Sequence, residues 1–163
     1  MTVRKVTLFS LLLSIGLILH FLEYYISIPL FGFILKPGLS NIVVLFAIYS
    51  LGLKEAIILS ITRGFLSALF EPSINVVSVS ISFGGIVFSL LAMFFVYNIN
   101  KNNILLISIF GAIFHNIGQL IVVLFFVDIE YLLYYLPLLI TSGFFGGYIT
   151  GWITELTVKK LHL

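Results

Sequence analysis

The sequence predicts an all-α integral membrane protein with six transmembrane helices, and its composition and hydropathy support this fold class. The 163 residues are 61% hydrophobic and 9% charged, whereas a soluble globular domain has about 25% charged residues. The mean hydropathy is +1.27. Because no long stretch is polar enough to form a separate soluble domain, we expect a single membrane domain over residues 1–163.

Six apolar segments define the predicted helices, because a helix needs about 20 apolar residues to cross a bilayer and fewer where it is short or broken. The first apolar run follows Met1–Lys5 and continues to Leu22 without a convincing small-x-small cleavage site. This favours an uncleaved first span over a signal peptide. The six predicted spans are residues 6–22, 41–53, 56–70, 75–97, 104–127 and 131–154.

The segment between the first two spans is predicted to be an irregular loop. Residues 26–40 are apolar but contain Pro29, Gly32, Pro37 and Gly38. Proline and glycine at this density disfavour a regular helix, so a re-entrant or surface-lying connection is expected.

The end of this loop carries the first candidate binding residues. Ser40 or Asn41 is placed to cap the N-terminus of the second helix, and a helix N-terminus favours an anion. Lys36 adds a positive charge close by, so Lys36 and Asn41 are candidate substrate ligands. The alternative is a capped helix beside a lysine that reaches the membrane surface.

The distribution of Lys and Arg predicts the orientation in the cell membrane. With six spans both termini lie on one side, and six basic residues lie on that side against one on the other. Because basic residues concentrate on the cytoplasmic side, we expect a multi-pass protein with both termini in the cytoplasm. The six are Arg4, Lys5, Lys54, Lys101, Lys159 and Lys160, and the one is Lys36.

Three polar side chains in the fifth apolar segment are the central site candidates. His115, Asn116 and Gln119 fall within about 100° of a helix circumference, while Gly111 and Gly118 let another helix approach closely. Polar groups facing hydrocarbon are costly, so we expect this shared face to line a cavity. Hydrogen bonding between helices is the alternative.

Arg63 lies near the middle of the third span, where a charge costs roughly 2.5–3.5 kcal/mol on insertion scales. It therefore needs a partner, and the candidates are Glu71 or the carbonyl and amide groups of Asn41 or Gln119. We expect Arg63 to contribute to substrate binding; a structural ion pair or snorkelling is the alternative. Glu23 and Glu71 are interpreted as interface acids, although either could face the same cavity.

Small residues predict close contacts on the first and sixth spans. Ser10 and Ser14 form a small-x-x-x-small step that is either an internal contact or a docking face for a partner membrane subunit. Glycines recur every four residues on the sixth span, where contact within the bundle is the preferred interpretation. They are Gly143, Gly147 and Gly151.

The sequence does not favour catalysis, a metal site or a cofactor. Magnesium-dependent phosphoryl or prenyl transfer needs clustered carboxylates, and Asp128 is the one aspartate of the chain. Cysteine is absent, and His20 and His162 are predicted near opposite membrane faces. There is no nucleotide-binding motif, so the chain would depend on a partner for ATP.

Several motifs together resemble those of the Gx transporter family, also labelled heptaprenyl diphosphate synthase component I. The similarity covers nearly the whole chain, and its most specific parts are the KxGxxN element at Lys36–Asn41 and the HNxGQ element at His115–Gln119. The other motifs are Glu23, Leu51–Ala56, Arg63, Ser82–Gly85 with Ser89 and Met93, Gly111 and Tyr135–Leu138.

The family in turn resembles the substrate-binding S subunits of energy-coupling factor transporters. That resemblance implies a six-helix S-subunit-like bundle, both termini inside, and partnership with a membrane T subunit and two ATPases. S subunits usually carry an alanine-rich motif on the first span, whereas this chain has Ser10 and Ser14.

The predicted function is capture of a small ligand from the outer side for uptake. The ligand would be anionic or carbonyl-rich and vitamin-like or quinone- or isoprenoid-like. The alternative is a non-transporting membrane subunit of a quinone- or flavin-linked redox assembly or of a prenyl diphosphate synthase. The predicted substrate-binding residues are Lys36, Asn41, Arg63, His115, Asn116 and Gln119, and the predicted partner-docking residues are Ser10 and Ser14.

Overall fold

A computed structural model of the chain describes residues 3–26, 28–30, 33–35, 38–70, 76–126, 134 and 136–161. Six α-helices and a pair of short strands lie within these residues. In chain order they are α1 (Val3–Ile26), β1 (Ile28–Leu30), β2 (Phe33–Leu35), α2 (Asn41–Ser50), α3 (Leu53–Phe70), α4 (Val76–Ile99), α5 (Ile104–Val123) and α6 (Leu136–Leu161).

The described helices overlap the six apolar segments, and four of them have the dimensions of membrane spans. Helices α1, α4, α5 and α6 are long and apolar enough to cross a membrane. Helix α2 has 10 residues and extends about 15 Å, half of the ~30 Å hydrocarbon core. Helix α3 has 18 residues and includes Lys54, Glu55 and Arg63. That α2 and α3 also cross the membrane therefore stays a prediction.

The segment predicted as an irregular loop contains a small antiparallel hairpin. Strand β1 pairs with β2, with Ile28 opposite Leu35. The proline and glycine of this segment disfavour a helix but are compatible with a hairpin, so the absence of a regular helix was predictable and the strand pairing was not. Before α2 the chain turns at Gly38, whose φ of +78° is readily adopted only by glycine.

The helices form two groups joined by α2 and α3. Helix α5 packs between α4 and α6, while α1 contacts both α2 and α3. Helix α3 also contacts α4, and α2 contacts α5 and α6, so α2 lies at the centre of the bundle. Its side chains accordingly form the middle of the hydrophobic core, which includes Val43, Val44, Leu45, Ala47 and Ile48.

The glycines of α6 bring its backbone against α5, which confirms the prediction of close contact within the bundle. A Cβ atom at Gly147 would lie 2.6 Å from the Cα atom of Ile109, and one at Gly143 would lie 3.0 Å from that of Ile113. Because backbone atoms on both sides leave no room for a side chain, α5 is held in a fixed position against α6. A buried hydrogen bond of 2.8 Å between Ser108 Oγ and Thr150 Oγ1 lies in the same interface.

Replacing Thr150 with valine is expected to lower the free energy of unfolding by about 1 kcal/mol, because a hydrogen bond between buried helix faces is lost. Thermal or denaturant unfolding of the purified protein in detergent measures the change. Thr157→Val is the matched control, because the Thr157 hydroxyl bonds a carbonyl of its own helix, that of Ile153. Equal stability of the two variants would contradict the importance of the Ser108–Thr150 contact.

Candidate functional site

A cavity of about 40 Å³ lies between α1, α2, α3, α4 and α5. The cavity lies in the half of the bundle away from both chain ends. It is lined by residues from the end of α1 and from the starts of α2 and α4, together with residues from the second halves of α3 and α5. Its lining residues are His20, Glu23, Gly38, Ser40, Asn41, Arg63, Gly64, Ser67, Ser82, Ile86, His115 and Gln119.

Glu23 joins the end of α1 to the start of α2. Its side chain is 1% exposed. Oε1 accepts a hydrogen bond of 3.2 Å from the backbone N–H of Ser40, and Oε2 accepts one of 2.9 Å from the Ser40 hydroxyl. Ser40 is the N-cap residue of α2 but its side chain forms no capping bond to that helix. The anion at this helix N-terminus is therefore the chain's own carboxylate.

Arg63 projects from α3 into the same cavity. It is 4% exposed, and its Nη2 donates a hydrogen bond of 3.2 Å to Asn41 Oδ1. Within the described part of the chain, its Nη1 has no hydrogen-bond partner. Asn41 was one of the partners proposed from the sequence, and the structure confirms it. Glu71, the other main candidate, lies outside the described residues.

The aliphatic part of Arg63 fits against α1 at a glycine. A Cβ atom at Gly16 would lie 3.1 Å from Arg63 Cδ and 2.8 Å from Val43 Cγ2. A larger residue at this position would push the arginine stem or α2 away from α1. The absence of a side chain on Gly16 therefore helps to place the guanidinium beside Asn41.

Helix α5 contributes His115 and Gln119 from the opposite side. Both line the cavity, and both lie against Gly85 of α4. A Cβ atom there would be 2.7 Å from His115 Cε1 and 2.9 Å from Gln119 Cγ, so Gly85 leaves the space that these two side chains occupy. Arg63 and His115 thus face a shared cavity, although they come from different helices.

Asn116 does not line this cavity. Its Nδ2 donates to the backbone oxygen of Leu139 at 2.8 Å and to Ser142 Oγ at 3.3 Å, both on α6. One residue along a helix turns the side chain by about 100°, which is enough to move Asn116 from the cavity side of α5 to the α6 side. The three polar residues of α5 therefore do not share one face as expected. His115 and Gln119 face the cavity, and Asn116 faces α6.

Two further predictions concern positions away from the cavity. Lys36 lies outside the described residues, so its predicted role stays a prediction. Ser10 and Ser14 lie on an exposed side of α1, with their hydroxyls donating to the carbonyls of Val6 and Ser10. Both are exposed among the described residues, and partner docking stays a prediction for them.

Glu23 and Ser40 were not among the predicted binding residues, although Glu23 was expected from the sequence to be able to face the cavity, and it does line it. The sequence placed Glu23 at a helix end, where an acid normally faces water, and its contact with Ser40 depends on how residues 27–39 bring the two helices together. Ser82 and His20 were also missed. Within the described residues, no three His, Asp or Glu side chains are grouped so as to hold a metal ion.

The cavity can provide both hydrogen-bond donors and acceptors to a ligand. Arg63 Nη1 provides a donor, and the amide of Gln119, which also lines the cavity, provides both a donor and an acceptor. Ile86 adds an apolar surface. This combination suits binding of a polar or anionic group. The carboxylate of Glu23, which lines the same cavity, is bonded to Ser40.

Comparison with known proteins gives a family match. A family model described as heptaprenyl diphosphate synthase component I matches residues 12–157, which include all the described residues that line the cavity. No curated protein and no solved structure matches the chain.

Replacing Glu23 with alanine is expected to lower the free energy of unfolding by about 2–3 kcal/mol, because two buried bonds to a charged acceptor are lost. Unfolding of the purified protein measures this loss. Glu155→Ala is the control, since Glu155 forms a partly exposed i,i+4 pair with Lys159 that contributes about 0.3–0.5 kcal/mol. If both variants lost the same stability, the proposed connection of α1 to α2 would be wrong.

Proposed function

The chain belongs to the heptaprenyl diphosphate synthase component I family, and we propose that it is the substrate-binding membrane subunit of an energy-coupling factor-type uptake transporter. The observation that carries this proposal is the buried guanidinium of Arg63. Its Nη1 finds no hydrogen-bond partner among the described residues and lies in a cavity that is also lined by His115 and Gln119. An unpaired buried cationic donor is costly. A bound ligand would supply the missing acceptor.

The position of the cavity suits capture from outside the cell. It lies in the half of the bundle away from both termini, and the distribution of Lys and Arg predicts that the termini lie in the cytoplasm. The cavity would then open toward the outer leaflet, beneath the connection that contains β1 and β2. A ligand could reach Arg63 from outside without crossing the full bilayer.

The chemistry of the lining residues favours an anionic or carbonyl-rich ligand. Arg63, Asn41, His115 and Gln119 are the substrate-binding residues that we propose among those lining the cavity, and Lys36 is proposed as a further one. Ile86 and the apolar helices around it favour a ligand that also has an apolar part. Vitamin-like and quinone- or isoprenoid-like compounds have both properties.

Uptake against a gradient would require partner subunits. The sequence has no nucleotide-binding motif, so we propose that a membrane T subunit and a pair of ATPases supply the energy. The side of α1 that carries Ser10 and Ser14 is exposed, together with Leu11, Ile15 and Ile18. Small residues among larger apolar ones let another helix approach closely, so we propose this side as the docking surface.

The description of the family favours a second candidate function. A non-transporting subunit that supports a prenyl diphosphate synthase, or a quinone- or flavin-linked redox assembly, would also use a ligand pocket in the membrane. The scarcity of carboxylates in the sequence favours a non-catalytic role in that case too. Purification from native membranes discriminates: ATPases and a T subunit favour transport, whereas a synthase chain or redox protein favours the second function.

Replacing Arg63 or His115 with alanine is expected to abolish ligand retention while leaving a folded protein. Native mass spectrometry of protein purified from its own membranes measures the retained ligand. Arg4→Ala is the matched control, because Arg4 is exposed near the start of α1 and should retain the ligand. Unchanged retention in both the Arg63 and His115 variants would refute the site.

Replacing Ser10 and Ser14 together with leucine is expected to prevent co-purification of the T subunit and ATPases, since bulky side chains would block close helix contact. Ligand retention should be unchanged. Thr141→Leu, at an exposed position of α6, is the control and should keep the partners. Intact assembly of the double variant would argue against docking through this side of α1.

A further inference from the structure

We infer that the group bound beside Arg63 is a single carboxylate and that a diphosphate is excluded. This inference rests on the proposed function, because it takes the cavity to be a ligand site. It follows from three properties of the site: the charges that line the cavity, the donors that remain available, and the space between the helices.

The charges of Arg63 and Glu23 offset each other, so these two groups supply no excess positive charge for a ligand with several negative charges. Arg63 is 4% exposed and Glu23 is 1% exposed, so both charges are shielded from water. Because Glu23 already places a carboxylate in the cavity, each further negative charge is opposed by it at low dielectric. A carboxylate would bring one charge to meet Arg63 Nη1, whereas a diphosphate would bring several.

The donors at the N-terminus of α2, a kind of group that commonly binds phosphate, already form hydrogen bonds within the protein. Phosphates bind at helix N-termini through backbone N–H groups. At the start of α2, the N–H and hydroxyl of Ser40 both donate to the carboxylate of Glu23. A phosphate would have to displace this buried carboxylate before it could use the same donors.

The remaining donors suit a carboxylate. Among the residues that the structure describes, Arg63 Nη1 has no hydrogen-bond partner, and the side chains of Gln119 and Ser82 line the same cavity. These three groups come from α3, α5 and α4 and line one cavity. A carboxylate has two oxygens with about four acceptor sites between them, so it can accept from all three groups.

The space also limits the bound group. The cavity measures about 40 Å³, and a water molecule requires about 10–15 Å³ on this measure. The cavity therefore holds about three water molecules, and a carboxylate has three heavy atoms. A diphosphate is larger and would extend beyond this space.

The experiment uses three probes with one alkyl tail and different head groups: hexanoate, hexanamide and hexyl diphosphate. The full-length protein is purified and stripped of ligand, and binding is measured by saturation-transfer NMR and by thermal stabilisation. We expect hexanoate to bind at least tenfold more tightly than either of the other probes. Arg63→Gln should remove this preference, and Arg4→Gln should keep it.

A second variant covers the case in which Arg63→Gln does not fold. Ser82→Val fills part of the cavity from α4 and leaves Arg63 in place, so it should weaken hexanoate binding at least tenfold. Hexanoate binding that is unaffected by this variant would overturn the inference.

The outcomes separate this inference from the proposed function. If hexyl diphosphate or hexanamide bound most tightly and required Arg63, the carboxylate assignment would be wrong while the ligand pocket would stand. If the binding of no probe depended on Arg63, the carboxylate assignment would also be wrong. The proposed function would then be tested separately, by whether the protein purified from its own membranes retains a ligand.

Discussion

The burial of the Arg63 guanidinium is the constraint on which the rest of the site depends. Burying a charge without full pairing is costly, and one hydrogen bond to Asn41 meets only part of the donor capacity of Arg63. The neighbouring elements are arranged around this side chain. Gly16 leaves space for its stem, α2 begins where Asn41 can accept from it, and Glu23 places an opposite charge in the same cavity.

The two groups of helices contribute to the site in different ways. Helices α4, α5 and α6 approach through glycines, with a Cβ atom at Gly118 only 2.5 Å from the carbonyl oxygen of Gly84. Because backbone contacts of this kind cannot adjust easily, α5 presents His115 and Gln119 from a fixed position. Helices α1, α2 and α3 carry the charged groups and are joined by side-chain hydrogen bonds.

The sequence predicted the fold better than the site, for physical reasons. Helix positions follow from apolar segment length, a local property, so all six described helices overlap predicted ones. The Arg63–Asn41 contact was among the predicted alternatives because few polar groups are available at that depth. The Glu23–Ser40 contact could not be predicted, since it depends on how the intervening chain folds back. The position of Asn116 differed from the prediction because adjacent residues of α5 face different helices. An asparagine side chain can form hydrogen bonds with either neighbouring helix, so the sequence does not show which helix it contacts.

The central claim is that Arg63 and the polar residues of α5 face one shared, ligand-accessible space. The chain has no native cysteine, so a Gln119→Cys variant offers a single thiol in that space. The most direct measurement is the rate at which this thiol reacts with small anionic and cationic methanethiosulfonates added from outside the cell. The account predicts faster reaction with the anionic reagent, and loss of that preference when Arg63→Gln is added. A preference that is unchanged without Arg63 would contradict it.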